Sequence, residues 1–150
     1  FKSALDAGLA DFAYRIADTA LTLWQNECAE SYCCFEHFMI ESRRGAGWHQ
    51  FSGLSSPIVQ WFSAYYRPGT LTTGFDAFVR HTDWAPDNSA LNATLDFTAA
   101  GRSTVLAVLQ PGPKAVTASV PCTVTTRHDG LLELTFALDA PCTVTISIHS

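Results

Sequence analysis

Near residue 70 the hydrophobic period of this chain changes, and that change limits its possible folds more than any other feature. Before it, residues 4 to 25 place Leu5, Leu9, Phe12, Ile16, Ala20 and Trp24 at steps of three and four. That spacing predicts one amphipathic helix, with Asp6, Asp11, Arg15 and Asp18 off its apolar stripe. Ser55-Ser56-Pro57 reads as a second helix start, Ser as cap and Pro in the first turn. Ile58, Val59, Trp61, Phe62, Tyr65 and Tyr66 make that helix apolar nearly all round until Arg67-Pro68-Gly69 ends it. A helix apolar on every side is buried on every side. Two helices cannot bury each other that way, so the expectation is a larger helical body, carried by a missing N-terminal part or by another chain.

After residue 70 the pattern is one of strands. Runs at 91–98, 104–109, 116–120, 123–127, 131–138 and 143–148 are rich in β-branched and aliphatic residues, and 131–138 alternates apolar with mixed positions. Residues 71–80 read as a transition and 83–89 as a turn or loop. Asp129-Gly130 between two alternating runs is the strongest hairpin signal in the chain. Short strands separated by turns predict an antiparallel β-sandwich. The expected division is therefore 1–69 helical and 70–150 β.

Composition excludes several classes. A hydrophobic share of 47% against 15% charged residues describes a chain with much apolar surface to bury. The net charge of −5 and the absence of any basic run argue against a nucleic-acid partner. No apolar stretch reaches the length of a membrane span, and no signal-peptide pattern stands at the start. The chain opens directly in helical pattern, which reads as a piece lacking its N-terminal part. Five cysteines make an odd count, with Cys33 and Cys34 adjacent, and favour free thiols over a disulfide framework. Cys122 and Cys142 share the pentad P-C-T-V-T, so one disulfide between them stays open. Asn92-Ala93-Thr94 is a sequon, a short and common pattern. The compartment is not legible.

Most residues able to do chemistry lie in the connection from Asn26 to Ser56, which is long for a helix–helix link and reads as a functional loop. It holds Glu27, Glu30, Glu36 and Glu41. Glu36 stands in Tyr32-Cys33-Cys34-Phe35-Glu36-His37-Phe38, framed by aromatics. Apolar walls disfavour the charged form of a carboxylate, a common setting for acid–base work. The alternative is a Glu36 ion-paired to Arg43 or Arg44. Gly45-Ala46-Gly47 lets backbone pass close to a neighbour. Trp48, His49 and Gln50 then offer a stacking face beside hydrogen-bonding groups, which suits a sugar, with Tyr32 and His37 on the other side of the loop. Trp48 as plain core is the competing reading. His37 and His49 have no third ligand at metal spacing, so neither a metal nor a cofactor is expected.

These motifs resemble a known group. A helix, F-E-H-F at Phe35–Phe38, then G-A-G-W-H-Q-F-S-G-L-S from Gly45 to Ser55, an apolar helix and a β-domain together resemble the C-terminal end of (α/α)6-barrel glycoside hydrolases. The nearest group is that of trehalases, family 63 glucosidases and mannosylglycerate-hydrolase-like enzymes. Gly53 departs from the pattern, standing where a Trp is expected. The resemblance implies a terminal helical hairpin of an (α/α)6 toroid followed by the sandwich, within an inverting glycosidase. It implies Glu36 as general base, Tyr32, His37, Trp48, His49 and Gln50 as substrate-binding residues, and a carbohydrate substrate. The general acid is an Asp earlier in such chains, so this stretch is expected to be incomplete alone, joined to the rest of the same enzyme or to another chain. Two other readings stay open: a non-catalytic carbohydrate-binding β-domain with a helical linker, and a glycoside phosphorylase.

Overall fold

The computed structural model describes residues 1–51, 53 and 55–150. The helices are α1 (Lys2–Asp6), α2 (Ala10–Ser31) and α3 (Ser55–Tyr66). The strands are β1 (Phe35–Phe38), β2 (Gly45–His49), β3 (Thr70–Thr72), β4 (Ala77–Trp84), β5 (Leu91–Phe97), β6 (Gly101–Val108), β7 (Ala115–Ala118), β8 (Cys122–His128), β9 (Leu131–Leu138) and β10 (Cys142–His149). Strands hold more of the described chain than helices, all in antiparallel sheets. This overturns the expected end of an (α/α)6 toroid. Such a toroid is built of repeated helical hairpins, whereas here the period-2 segments outnumber the helical ones and even the central connection pairs as strands.

The chain packs as two units, one formed by Phe1–Ala13 with Ala64–Ser150 and the other by Tyr14–Ser63. In the first, two four-stranded sheets form a sandwich, in the orders β4-β5-β10-β7 and β3-β6-β9-β8. β10 lies between β5 and β7, pairing Val144 with Leu95 and Ile146 with Ala118. The alternation in β9 sends Leu132, Leu134, Phe136 and Leu138 into the core, where the Phe136 ring meets Phe97 from the facing sheet at 5.4 Å. Its opposite face is also buried: Leu131 and Glu133 are covered, as are Leu106 and Thr104 on β6, against which α1 packs. The β5 and β10 faces turned away from the core alternate with solvent instead.

Three contacts fasten the chain's start and the end of α3 to this sandwich. The Asp6 carboxylate accepts the backbone N–H groups of Phe75 (2.8 Å) and Asp76 (3.1 Å). Arg127 donates to both oxygens of buried Glu133, at 2.8 and 2.9 Å, and to Asp11. His128 Nε2 bonds the Tyr65 carbonyl at 2.8 Å, and its ring stacks on Tyr66.

Some boundaries differ from the sequence reading. The single helix expected over 4–25 is two, broken at Gly8, whose φ of +66° is left-handed and whose missing Cβ leaves room for the Arg102 side chain. α2 also runs six residues past the expected end. β4 occupies residues read as a transition and a loop; its side chains are largely exposed, so no alternation of apolar residues marked it. Cys122 and Cys142 are free, on strands of different sheets. Ser52 and Leu54 of the Q-F-S-G-L-S-S segment, and the capping side chain of Ser55, lie outside the described residues. None of the helices described is long and apolar enough to cross a membrane.

Candidate functional site

Within the unit Tyr14–Ser63, α2 ends by its own chemistry. The Tyr32 N–H bonds the Cys28 carbonyl at 3.0 Å, and Tyr32 takes a left-handed φ of 55°, the single-bond cap that stops a helix with one reversed residue. The chain then forms the two-stranded hairpin β1–β2 in place of the expected loop. Its turn closes through Met39, whose N–H bonds the Arg44 carbonyl and whose carbonyl accepts from Arg43.

Glu27 holds this hairpin to the helix. Its carboxylate is buried and accepts Arg44 Nε at 2.8 Å, Arg44 Nη2 at 3.2 Å and the Gly45 N–H at 2.8 Å. Arg44 also reaches Glu30 at 2.8 Å. Hydrogen bonding from Arg44, reinforced by the Gly45 amide, lowers the Glu27 carboxyl to about 2. Glu27 and Glu30 are thereby structural, and Arg44 is not the partner of Glu36. Beside them, burial pushes the Cys28 thiol up to about 11, with Cys34 adding to the effect, and that thiol donates to the Cys33 carbonyl at 3.3 Å.

The register of the hairpin places Glu36. Phe35 pairs with His49 and His37 with Ala46, so two residues of β2, Gly47 and Trp48, stand against Glu36 alone. This is a β-bulge with a glycine of positive φ (+84°) at its first position, a device that re-aims a side chain. A Cβ on Gly47 lies 2.7 Å from Glu36 Oε2 and 3.0 Å from His37 Cε1, so both side chains occupy the space that only glycine leaves. Glu36 is exposed, and its carboxylate has no hydrogen bond or ion pair among the described residues. Trp48 is 74% exposed, touching the Phe51 ring edge-on at 6.4 Å and leaving its indole faces open. The aromatic frame expected around Glu36 does not close: Phe35 turns to the His49 ring at 5.0 Å, and Tyr32 is 90% exposed.

The hairpin thus brings Glu36, His37 and Trp48 around Gly47, with His49 across the pair from Phe35. Tyr32 and Gln50 flank it at the two ends, both in left-handed backbone conformations that cost about 1–2 kcal/mol each. Such strain collects at functional segments. Gly53, where a Trp was expected, has the Phe51 ring within 2.3 Å of its Cβ position, so a side chain there displaces that ring. Sequence reasoning missed Glu27, Arg44 and Gly45 as the scaffold; no local pattern marks a pair seventeen residues apart. Among the described residues no three His, Cys, Asp or Glu side chains gather as a metal site. No protein-family model matches the chain, and no curated protein or solved structure matches it either.

Proposed function

We propose that this chain supplies the general base and a sugar-stacking surface to an inverting glycoside hydrolase, acting on oligosaccharides or small glycosides. The observation that carries this reading is the Glu36 carboxylate, exposed and unbonded among the described residues, held over the open face of Gly47 beside Trp48. In this reading Glu36 takes a proton from water as the water oxygen bonds to the anomeric carbon. The glycosidic C–O bond breaks on the opposite side of the sugar, and the leaving oxygen takes a proton from a carboxylic acid. The two carboxyl groups of such a site stand about 6.5–9.5 Å apart, leaving room for the water. Glu27 and Glu30 are held by Arg44 and do not serve as the acid. The acid comes from another part of the enzyme or from a second chain. The open Trp48 indole stacks on the apolar face of the sugar, while Tyr32, His37, His49 and Gln50 offer hydrogen bonds to its hydroxyls.

The test is Glu36→Gln in the protein at its native length, assayed on aryl glycosides and disaccharides with the product anomer followed by NMR. Turnover is expected to fall by about a hundredfold or more with the fold intact, and the parent protein to release the inverted anomer. Unchanged turnover in the variant, or a retained anomer from the parent, overturns the reading.

A further inference from the structure

We infer that the outer face of sheet β4-β5-β10-β7 is a binding groove for a neutral, polyhydroxylated chain, an oligosaccharide strand laid across the β-strands. The inference stands on this face alone and does not depend on Glu36. In the other sheet the central strands β6 and β9 are covered on both sides, whereas this one keeps an open face with a groove of about 420 Å³.

Strand pairing arranges the groove's side chains in rows. His81 pairs with Thr94, Thr94 with Thr145, and Thr145 exchanges hydrogen bonds with Ser119. The next row runs from Asp83 on β4 through Asn92 and Ser147 to Thr117. Within a row the side chains repeat about every 4.8 Å, and the rows stand about 7 Å apart. Apart from the exposed Asp83 carboxylate at the β4 edge, every polar group in these rows is an uncharged hydroxyl or amide, or an imidazole. Of these side chains only Ser119 spends its hydroxyl on a protein partner, accepting the Thr145 N–H at 3.0 Å; His81, Asn92, Thr94, Thr117 and Ser147 have no protein hydrogen bond among the described residues. A third row, Phe78–Asp96–Thr143, sets an exposed phenyl ring at one end of the same face. Its one acid, Asp96, is already bonded to Arg80 and Thr143.

That chemistry selects the occupant. No Lys or Arg lines the groove, and Arg80 on the neighbouring row is paired with Asp96, so phosphate and uronate chains find no free counter-charge there. An extended peptide adds to a sheet edge through its backbone, not across a face of short hydroxyls. A neutral polyol chain meets a donor or acceptor at each strand it crosses, with one sugar ring on Phe78. Asn92 lies in the groove and opens the sequon Asn92-Ala93-Thr94, so the protein for testing is made without glycosylation.

The experiment is titration of the full chain with neutral β-linked and α-linked glucan oligosaccharides and with an oligouronate of equal length, followed by calorimetry and amide chemical shifts. One neutral chain is expected to bind, the uronate at least about tenfold more weakly, with shifts in β4, β5, β10 and β7. Thr94→Val with Thr117→Val, which replaces hydroxyls by methyls at a half-buried and an exposed strand position, is expected to weaken binding about tenfold. Phe78→Ala is a second, independent variant with the same expected direction. Absence of binding to any neutral chain, preference for the uronate, unchanged affinity in both well-folded variants, or shifts confined to residues 32–50 overturns the inference.

Discussion

Glu27 accepts hydrogen bonds from the Arg44 guanidinium and the Gly45 amide, and these hold its carboxyl near 2 against 4.5 in an unstructured chain. A carboxyl whose folded value is depressed contributes stability in full above its unfolded value and loses it as pH falls toward the folded one. The hold of the hairpin on α2 is therefore expected to weaken between about pH 4.5 and pH 2. Glu27→Gln removes that dependence. Melting the β1–β2 amide signals of parent and variant is expected to show a gap near pH 6 that closes by pH 2; a gap constant with pH refutes the assignment. The sequence singles out Glu36 as a candidate, a carboxylate among aromatics before a Gly-rich stretch, and the structure does not close that aromatic frame. Its setting was not legible. The bulge depends on which residue of β2 opposes it, and pairing register is not written in either strand separately.

Elements show the same division. β9 was readable to the residue, since a run rich in Leu with alternating apolar positions is bounded by Asp129-Gly130 on one side and Asp139-Ala140-Pro141 on the other. β4 was not, because an edge strand with exposed side chains has no apolar alternation to display. Burial of Glu133 on β9 is bearable only through Arg127 on β8, which donates to both carboxylate oxygens and reaches Asp11 at the start of α2. Removing one member of a buried pair strands the other charge. Arg127→Met is expected to cost about 3 kcal/mol in denaturant unfolding. Adding Glu133→Leu is expected to recover most of that cost, because the uncompensated charge goes with it. A loss no larger in the single variant than in the double variant removes this pair from the account of how β8 and β9 hold together.

At the scale of the whole molecule, the apolar core is concentrated in the sandwich, where residues such as Leu95, Val105, Leu134, Phe136 and Val144 are completely enclosed. Among the described residues the unit Tyr14–Ser63 buries few side chains, Ala17, Glu27 and Ile58 among them, and its sheet has two strands. A two-stranded hairpin is marginal without support. Native-state hydrogen exchange is expected to find the β6 and β9 amides opening only with global unfolding, and those of β1 and β2 opening at much lower free energy. Equal protection in both units contradicts this. By itself the sequence determined the change from helical to strand period near residue 70 and the Asp129-Gly130 hairpin, because period is a property of neighbouring residues on one backbone. Only the tertiary structure decided that the chain is mostly β and that β10 inserts between β5 and β7. It alone joined Glu27 to Arg44, set Glu36 over Gly47 and left one sheet face open. Those are choices among partners distant in sequence, made by burial and hydrogen bonding that no local pattern encodes.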